Sequence, residues 1–162
     1  MAEIYLAGGC FWGLEEYFSR IKGVTATTVG YANGKTLDTN YQEVKATDHA
    51  ETVRVTYDET VVSLYDILRY YFRVIDPLSV NKQGNDVGRQ YRTGIYYTSD
   101  ADLLVIDRIM TEQESLFGQK LAVEVEPLDN YVLAEEYHQD YLKKNPGGYC
   151  HINVDDAYKP LA

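Results

Sequence analysis

Two cysteines, Cys10 and Cys150, near opposite ends of a 162-residue chain, are the residues best suited to soft nucleophilic chemistry. By count alone, two distant thiols are as readily two unrelated core residues as a redox pair. They make neither a disulfide scaffold nor a zinc knuckle. The neighbours of Cys10 favour chemistry. It follows Gly8-Gly9 directly and opens a helix, so its sulfur lies beside unpaired backbone N–H groups and the positive end of the helix dipole. That setting lowers a thiol pKa toward the thiolate. The helix carries an apolar stripe of Phe11, Leu14, Phe18 and Ile21, and at about 100° per residue Trp12 points well away from it. An indole off the core face beside a candidate nucleophile suggests an aromatic wall for a small apolar group. The competing reading is an inert turn cysteine with an indole that covers another element.

The elements that must position these residues follow from periodicity. Glu3–Ala7 alternates as a strand, Gly8-Gly9 turns, and the helix runs to Lys22-Gly23. Val24–Tyr31 and Thr52–Tyr57 read as strands joined by a long polar loop from Ala32 to about His49. Ser63 caps a helix bearing Leu64, Ile67, Leu68, Tyr71 and Ile75, which Asp76-Pro77 stops. The loop from Pro77 to Arg92 has no periodicity, and its GNDVGRQYR run is too specific for a spacer, so it is a site candidate. Gly94–Thr98 is expected as a strand, Ser99–Phe117 as a helix, Ala122–Val125 as a short strand and Ala134–Lys144 as a last helix ending on KKNPGG. The order predicts an α+β domain, a two-layer ferredoxin-like α/β plait with an additional C-terminal strand, helix and irregular tail. Residues 1–162 are expected to form one catalytic domain, with 146–162 a flexible tail that carries Cys150.

Composition excludes other classes. Lys+Arg 15 against Asp+Glu 25 gives a net charge of −10 with the basic residues scattered, which argues against nucleic acid as a partner. At 45% hydrophobic and 25% charged the chain is globular rather than disordered. No run approaches the roughly 18 apolar residues of a membrane helix, and the N-terminus MAEIYLAGG lacks the basic region of a signal peptide. No membrane partner and a cytoplasmic location are expected. The 16 tyrosines, against 4 Phe and 1 Trp, are expected mostly as half-buried packing residues.

Six blocks then resemble one family. GCFWGLEEYF at 9–18, GYANG at 30–34, YQEV at 41–44, DHAETVRVTYD at 48–58, QGNDVGRQYRTGIYY at 83–97 and KKNPGGYCHI at 143–152 are similar in order and spacing to peptide methionine sulfoxide reductase A. The resemblance covers essentially the whole chain. It implies that Cys10 is the nucleophile that attacks the sulfoxide sulfur, and that Phe11 and Trp12 form the pocket for the methionine ε-methyl. By position in the matching blocks it implies that Glu51, Tyr41, Asp86 and Tyr91 surround the sulfoxide oxygen and the thiol. It further implies selectivity for the S epimer, in keeping with one enzyme per epimer, and recycling by thioredoxin through a Cys10–Cys150 disulfide.

That chemistry needs such a set, because breaking S=O takes a sulfur nucleophile on one side and a proton for the oxygen on the other. Glu51 is the expected donor, provided burial raises its pKa, while two tyrosine hydroxyls polarise the oxygen without adding charge. No cofactor or metal is expected: His49 with Glu51, and Glu135, Glu136 and His138, lack the spacing of zinc motifs. The chain departs from the family's commonest form at DHAE, at Val87 and at Thr93, none of which is assigned a chemical role. It also lacks the third cysteine that some relatives carry beyond GYC, which leaves recycling to Cys150. The tail HINVDDAYKPLA resembles the linker of fused reductases, so a stand-alone enzyme and an excised domain are both open. Two other functions compete. One is a thiol peroxidase, which has no use for a methyl pocket; the other is a redox-sensing or methionine-sulfoxide-binding module without turnover.

Overall fold

A computed structural model describes residues 2–161. The strands are β1 (Ala2–Ala7), β2 (Val24–Ala32), β3 (Ala50–Tyr57), β4 (Lys82–Gln83), β5 (Asp86–Val87), β6 (Gly94–Tyr97), β7 (Glu124–Pro127) and β8 (Tyr131–Leu133). The helices are α1 (Phe11–Ser19), α2 (Leu64–Val74), α3 (Asp102–Phe117) and the single turn α4 (Tyr141–Lys144). Six strands form one sheet in the order β7-β6-β1-β3-β2-β8. Its four inner strands, β6-β1-β3-β2, each run antiparallel to their neighbours, and with α1 and α2 between them in sequence they make the expected split βαβ plait. β7 adds parallel to β6, and β8 antiparallel to β2.

The strand period of two divides β3. Val53, Val55 and Tyr57 join Ile4, Leu6, Val29 and Tyr31 in the main core, together with Phe11, Leu14 and Phe18 from α1 and Ile67, Leu68 and Tyr71 from α2. Glu51 lies on that same alternating face, so the register that builds the core also drives a carboxyl group into it. Tyrosine supplies much of the bulk, and here the structure corrects the sequence expectation. Tyr17, Tyr31, Tyr57, Tyr71 and Tyr96 are fully buried rather than half-buried. The phenol of Tyr17 donates to the Tyr70 carbonyl at 2.8 Å and that of Tyr31 to Glu135 Oε1 at 2.8 Å. Tyr96 donates to Glu124 Oε2 at 2.8 Å, and Tyr71 to the carbonyls of Ala7 and Gly94. Partnered hydroxyls make that burial tolerable.

The expected helix over 134–144 does not form as one piece. β8 occupies the sheet edge, Glu136–His138 is a 3-10 turn, and Asp140 adopts a left-handed φ of 52° before α4. Tertiary bonds outweigh helical periodicity here. The Gln139 side chain pairs with both the N–H and the C=O of Val29 at 2.9 and 2.8 Å, and the Asp140 amide donates to Glu15 Oε1 at 2.8 Å. The 77–92 loop contains a two-strand hairpin, β4-β5, followed by a 3-10 turn at Arg89–Tyr91. The stretch from Cys150 to Pro160 lies against α1 and α2. Arg73 donates to the carbonyls of Asp156, Lys159 and Pro160, each at 2.8 Å, and Ala157 enters the core.

Ser63 caps α2 by accepting the Asp66 amide at 3.1 Å. Ser63→Ala is expected to cost about 1 kcal/mol, seen as a lower denaturant midpoint at unchanged slope; an unchanged midpoint would show that the cap contributes nothing.

Candidate active site

Cys10 is the N-cap of α1, directly after Gly9, whose φ of 83° only glycine adopts readily. A Cβ on Gly9 would stand 2.7 Å from the Cβ of Gln83, so the turn also requires a bare backbone to admit the 77–92 loop. The thiol is 7% exposed, and the Trp12 amide bonds to its sulfur.

Glu51 faces Cys10 from β3, where it pairs with Tyr31. The Phe11 amide, first in the helix, donates to Glu51 Oε1 at 3.2 Å, while Oε2 is buried with no partner. Burial, with the negative charge of Asp86 adding to it, pushes the Glu51 carboxyl up to about 8 against the pull of the Phe11 amide. Neutral Glu51 therefore carries its proton on Oε2, the oxygen left free to donate.

The thiol departs from the sequence expectation. Burial, and after it the negative charge of Glu51, push Cys10 well above the ordinary thiol range, and the single Trp12 amide does not offset them. At a helix start inside the core, desolvation of a thiolate beside a carboxyl outweighs the dipole. At neutral pH both Cys10 and Glu51 hold their protons.

Two loops bring the remaining polar groups. The 33–49 loop carries Tyr41, and the hairpin and 3-10 turn carry Asp86 and Tyr91. Arg89 grips both carboxylate oxygens of Asp48 at 2.8 and 3.0 Å and so ties the two loops together. Arg92, 4% exposed, donates to the carbonyls of Arg89 and Asn33 and to Glu124. The hydroxyls of Tyr41 and Tyr91 bond to each other, and both phenols are raised by burial and then by Glu51. Asp86 Oδ2 accepts from the Tyr149 hydroxyl at 3.0 Å.

The aromatic side is built on Trp12. Its Nε1–H donates to His138 Nδ1 at 2.9 Å, and Tyr141 stacks on the indole with centroids 3.8 Å apart at 12°. Phe11 is wholly buried against Tyr31 and His138, so it underlies the pocket. His138 also meets the Tyr41 ring at 4.5 Å, and burial lowers its pKa. Cys150, half-buried, lies over Gly13, one helical turn beyond Cys10: a Cβ on Gly13 would stand 2.7 Å from its sulfur.

The candidate residues thus surround the start of α1. Sequence reasoning missed His138, Tyr141 and Tyr149, which orient Trp12 and Asp86. His138 was weighed only as a metal ligand, and the one signal for it was its place in an aromatic-rich run, EEYHQDY.

A family profile described as peptide methionine sulfoxide reductase matches residues 2–161. Among solved structures, Mxr1 from Saccharomyces cerevisiae in reduced form superposes with a TM-score of 0.87 at 41% identity, covering 93% of this chain and 88% of that one. Methionine sulfoxide reductase A of Corynebacterium diphtheriae gives 0.80 at 34% identity over 91% and 76% of the two chains. Mxr1 in complex with Trx2 gives 0.63 at 32% identity over 86% and 84%.

Because folded Glu51 holds its proton to about pH 8 and unfolded Glu releases it near 4.3, its contribution to stability is full below the unfolded value. It is lost as pH rises through about 8. The melting temperature should therefore fall between about pH 5 and pH 8.5, and Glu51→Gln, with no proton to release, should flatten that fall. Equal slopes in the two proteins would mean that Glu51 is ionised in the fold.

Proposed function

The chain belongs to the peptide methionine sulfoxide reductase family, and from that membership we propose that it reduces methionine-S-sulfoxide, free or in proteins, with Cys10 as nucleophile and Glu51 as proton donor. The observation that carries this assignment is the pairing of a buried thiol with a neutral carboxyl whose free oxygen has no partner. The sulfoxide oxygen accepts from Tyr41 and Tyr91 and takes the proton of Glu51 Oε2. Cys10 sulfur then attacks, its own proton returning to Glu51. The oxygen passes to Cys10 as a sulfenic acid, and the sulfoxide sulfur leaves reduced as a thioether. Atoms and protons balance with Glu51 unchanged, which explains why a raised thiol does no harm: the thiolate is needed only once the oxygen is protonated. Trp12, with Phe11 beneath it, receives the ε-methyl, and Asp86 completes the polar rim.

Cys150 condenses with the sulfenic acid to form a Cys10–Cys150 disulfide and water. A thioredoxin is the proposed reductant, supported by the crystallisation of Mxr1 with Trx2. A cleft of about 230 Å³ lined by Glu16, Arg20, Leu142 and Cys150 offers an incoming thiolate a path to the disulfide. In this reading 1–162 works as one catalytic domain, the span from 146 to 154 shifts to let the sulfurs meet, and the setting is a reducing cytoplasm. No helix among the described residues is long and apolar enough to cross a membrane. A thiol peroxidase would need neither the Trp12 wall nor a neutral acid.

Single-turnover methionine release separates the roles. Cys10→Ser is expected to release none while staying folded, because a hydroxyl is a far weaker nucleophile toward sulfur; activity within tenfold of wild type would remove Cys10 from the chemistry. Cys150→Ser should release one equivalent at the wild-type rate, leave a sulfenic acid that dimedone traps, and fail to cycle with thioredoxin. Wild-type cycling would make Cys150 a bystander. Trp12→Ala should weaken substrate use by roughly 1–3 kcal/mol, the scale of a lost methyl contact and its aromatic wall. Unchanged kcat and KM would show that Trp12 does not line the pocket.

A further inference from the structure

Cys150 does not stand alone over α1. The point where a Gly13 Cβ would sit lies 2.7 Å from Cys150 Sγ, 3.3 Å from Ile152 Cγ1 and 3.6 Å from His151 Nδ1. A thiol and an imidazole nitrogen therefore converge on the same bare stretch of helix, three residues after Cys10 and on its side of α1. His151 is fixed at its other nitrogen, because Nε2 meets the Gly8 carbonyl at 3.1 Å. A carbonyl only accepts, so Nε2 bears the hydrogen and neutral His151 presents a lone pair at Nδ1. That Nδ1 is buried with no hydrogen-bond partner. Nothing in the sulfoxide-reducing step uses it.

We propose that His151 is the proton acceptor for Cys150 in the step that closes the Cys10–Cys150 disulfide, an inference that rests on the roles given to the two cysteines above. The thiolate is the attacking species, and Cys150 is poorly supplied with it. Burial raises its thiol, which donates to the Ile152 carbonyl at 3.0 Å; Arg20 pulls the other way and Glu16 adds to the rise. Burial also keeps His151 in its neutral, proton-accepting form, against the bond to the Gly8 carbonyl and the charge of Asp86 on β5. Those groups, with the Cys150 thiol over Gly13, are the ones that face the imidazole. In the step, the Cys150 S–H proton passes to His151 Nδ1 and Cys150 sulfur attacks the sulfenic sulfur of Cys10. The S–O bond breaks as S–S forms, and the departing hydroxide takes that same proton from His151 to leave as water, which returns the imidazole to its neutral form. The sulfenic acid made by sulfoxide reduction is the only oxidant required.

His151→Gln separates the two functions of the ring, since the amide can still donate to Gly8 but has no base at the Nδ1 position. Full-length wild type and variant are mixed with one equivalent of a blocked methionine-S-sulfoxide and quenched over time, and released methionine and remaining free thiols are counted in the same aliquots. The expected result is methionine release within twofold of wild type and thiol loss at least tenfold slower at pH 7. Thiol loss in the variant should recover as pH rises and ionises Cys150 directly, and should accelerate with added imidazole. Thiol loss at the wild-type rate with an unchanged pH profile would overturn the proposal. So would methionine release slowed as much as thiol loss, which would make His151 a prop for the whole site. Absence of methionine release from wild type would instead overturn the reading of Cys10 on which the proposal rests.

Discussion

Glu51 is an acid side chain set in the core face of a sheet, 1% exposed, with a single amide for a partner. Leaving a carboxylate ionised there without a counter-ion would be very costly, and the group stays neutral instead. Much of the local architecture follows from that. The strand register that aligns Val53 and Val55 with the core obliges residue 51 to face the same way. The first turn of α1 begins beside it, where the Phe11 amide, free of any partner within the helix, reaches Oε1 while Oε2 stays unbonded. Cys10 is the residue at which that helix begins. The position of the thiol and the protonation of the acid are thus one constraint, set by β3 register and the start of α1 together.

The charges that act on this neutral pair are acidic rather than basic. The groups that meet the site are phenols, an imidazole and one carboxyl: Tyr41, Tyr91, Tyr149, His138 and Asp86. An arginine beside Glu51 would ionise it and remove the proton that the chemistry needs. The arginines work one layer back, where Arg89 binds Asp48 and Arg92 binds loop carbonyls and Glu124. They fix the two polar loops without reaching the carboxyl. The abundance of tyrosine fits the same requirement, since a phenol orients and polarises an oxygen while leaving local charge unchanged.

The plait was legible because its strands and helices obey their own periods: alternation in β1 and β3, the 3.6 repeat in α1 and α2, and a serine cap that the structure retains. The region from 131 to 144 was not, because its conformation is set by a partner remote in sequence. Gln139 bonds to Val29 and Asp140 to Glu15, and neither bond leaves a periodic trace. At the site, Cys10 and Trp12 could be singled out from local geometry, whereas Glu51, Tyr41, Asp86 and Tyr91 look like surface residues until their blocks are taken together. The protonation of Cys10 was misjudged for a physical reason. Helix position is visible in sequence, but the depth of burial and the carboxyl across the sheet are not, and those two decide the sign.

The second thiol poses a problem of reach rather than of pKa. A disulfide requires sulfurs about 2.05 Å apart, whereas Cys150 Sγ is engaged with the Ile152 carbonyl over Gly13. The chain on either side is held. Upstream, Lys143 meets Glu16 at 3.1 Å and the Ser19 hydroxyl at 2.7 Å; downstream, Arg20 meets Asp155 at 2.7 Å and Arg73 clasps three carbonyls. Movement that brings the sulfurs together is therefore confined to the span between these anchors. Within it, Gly147 has nothing within 4 Å of where a side chain would begin, which leaves room for the backbone to rotate. Gly13 serves the same step from the other side. A Cβ there would stand 2.7 Å from Cys150 Sγ, so the bare helix surface at position 13 is what admits the second thiol against α1, one turn beyond Cys10.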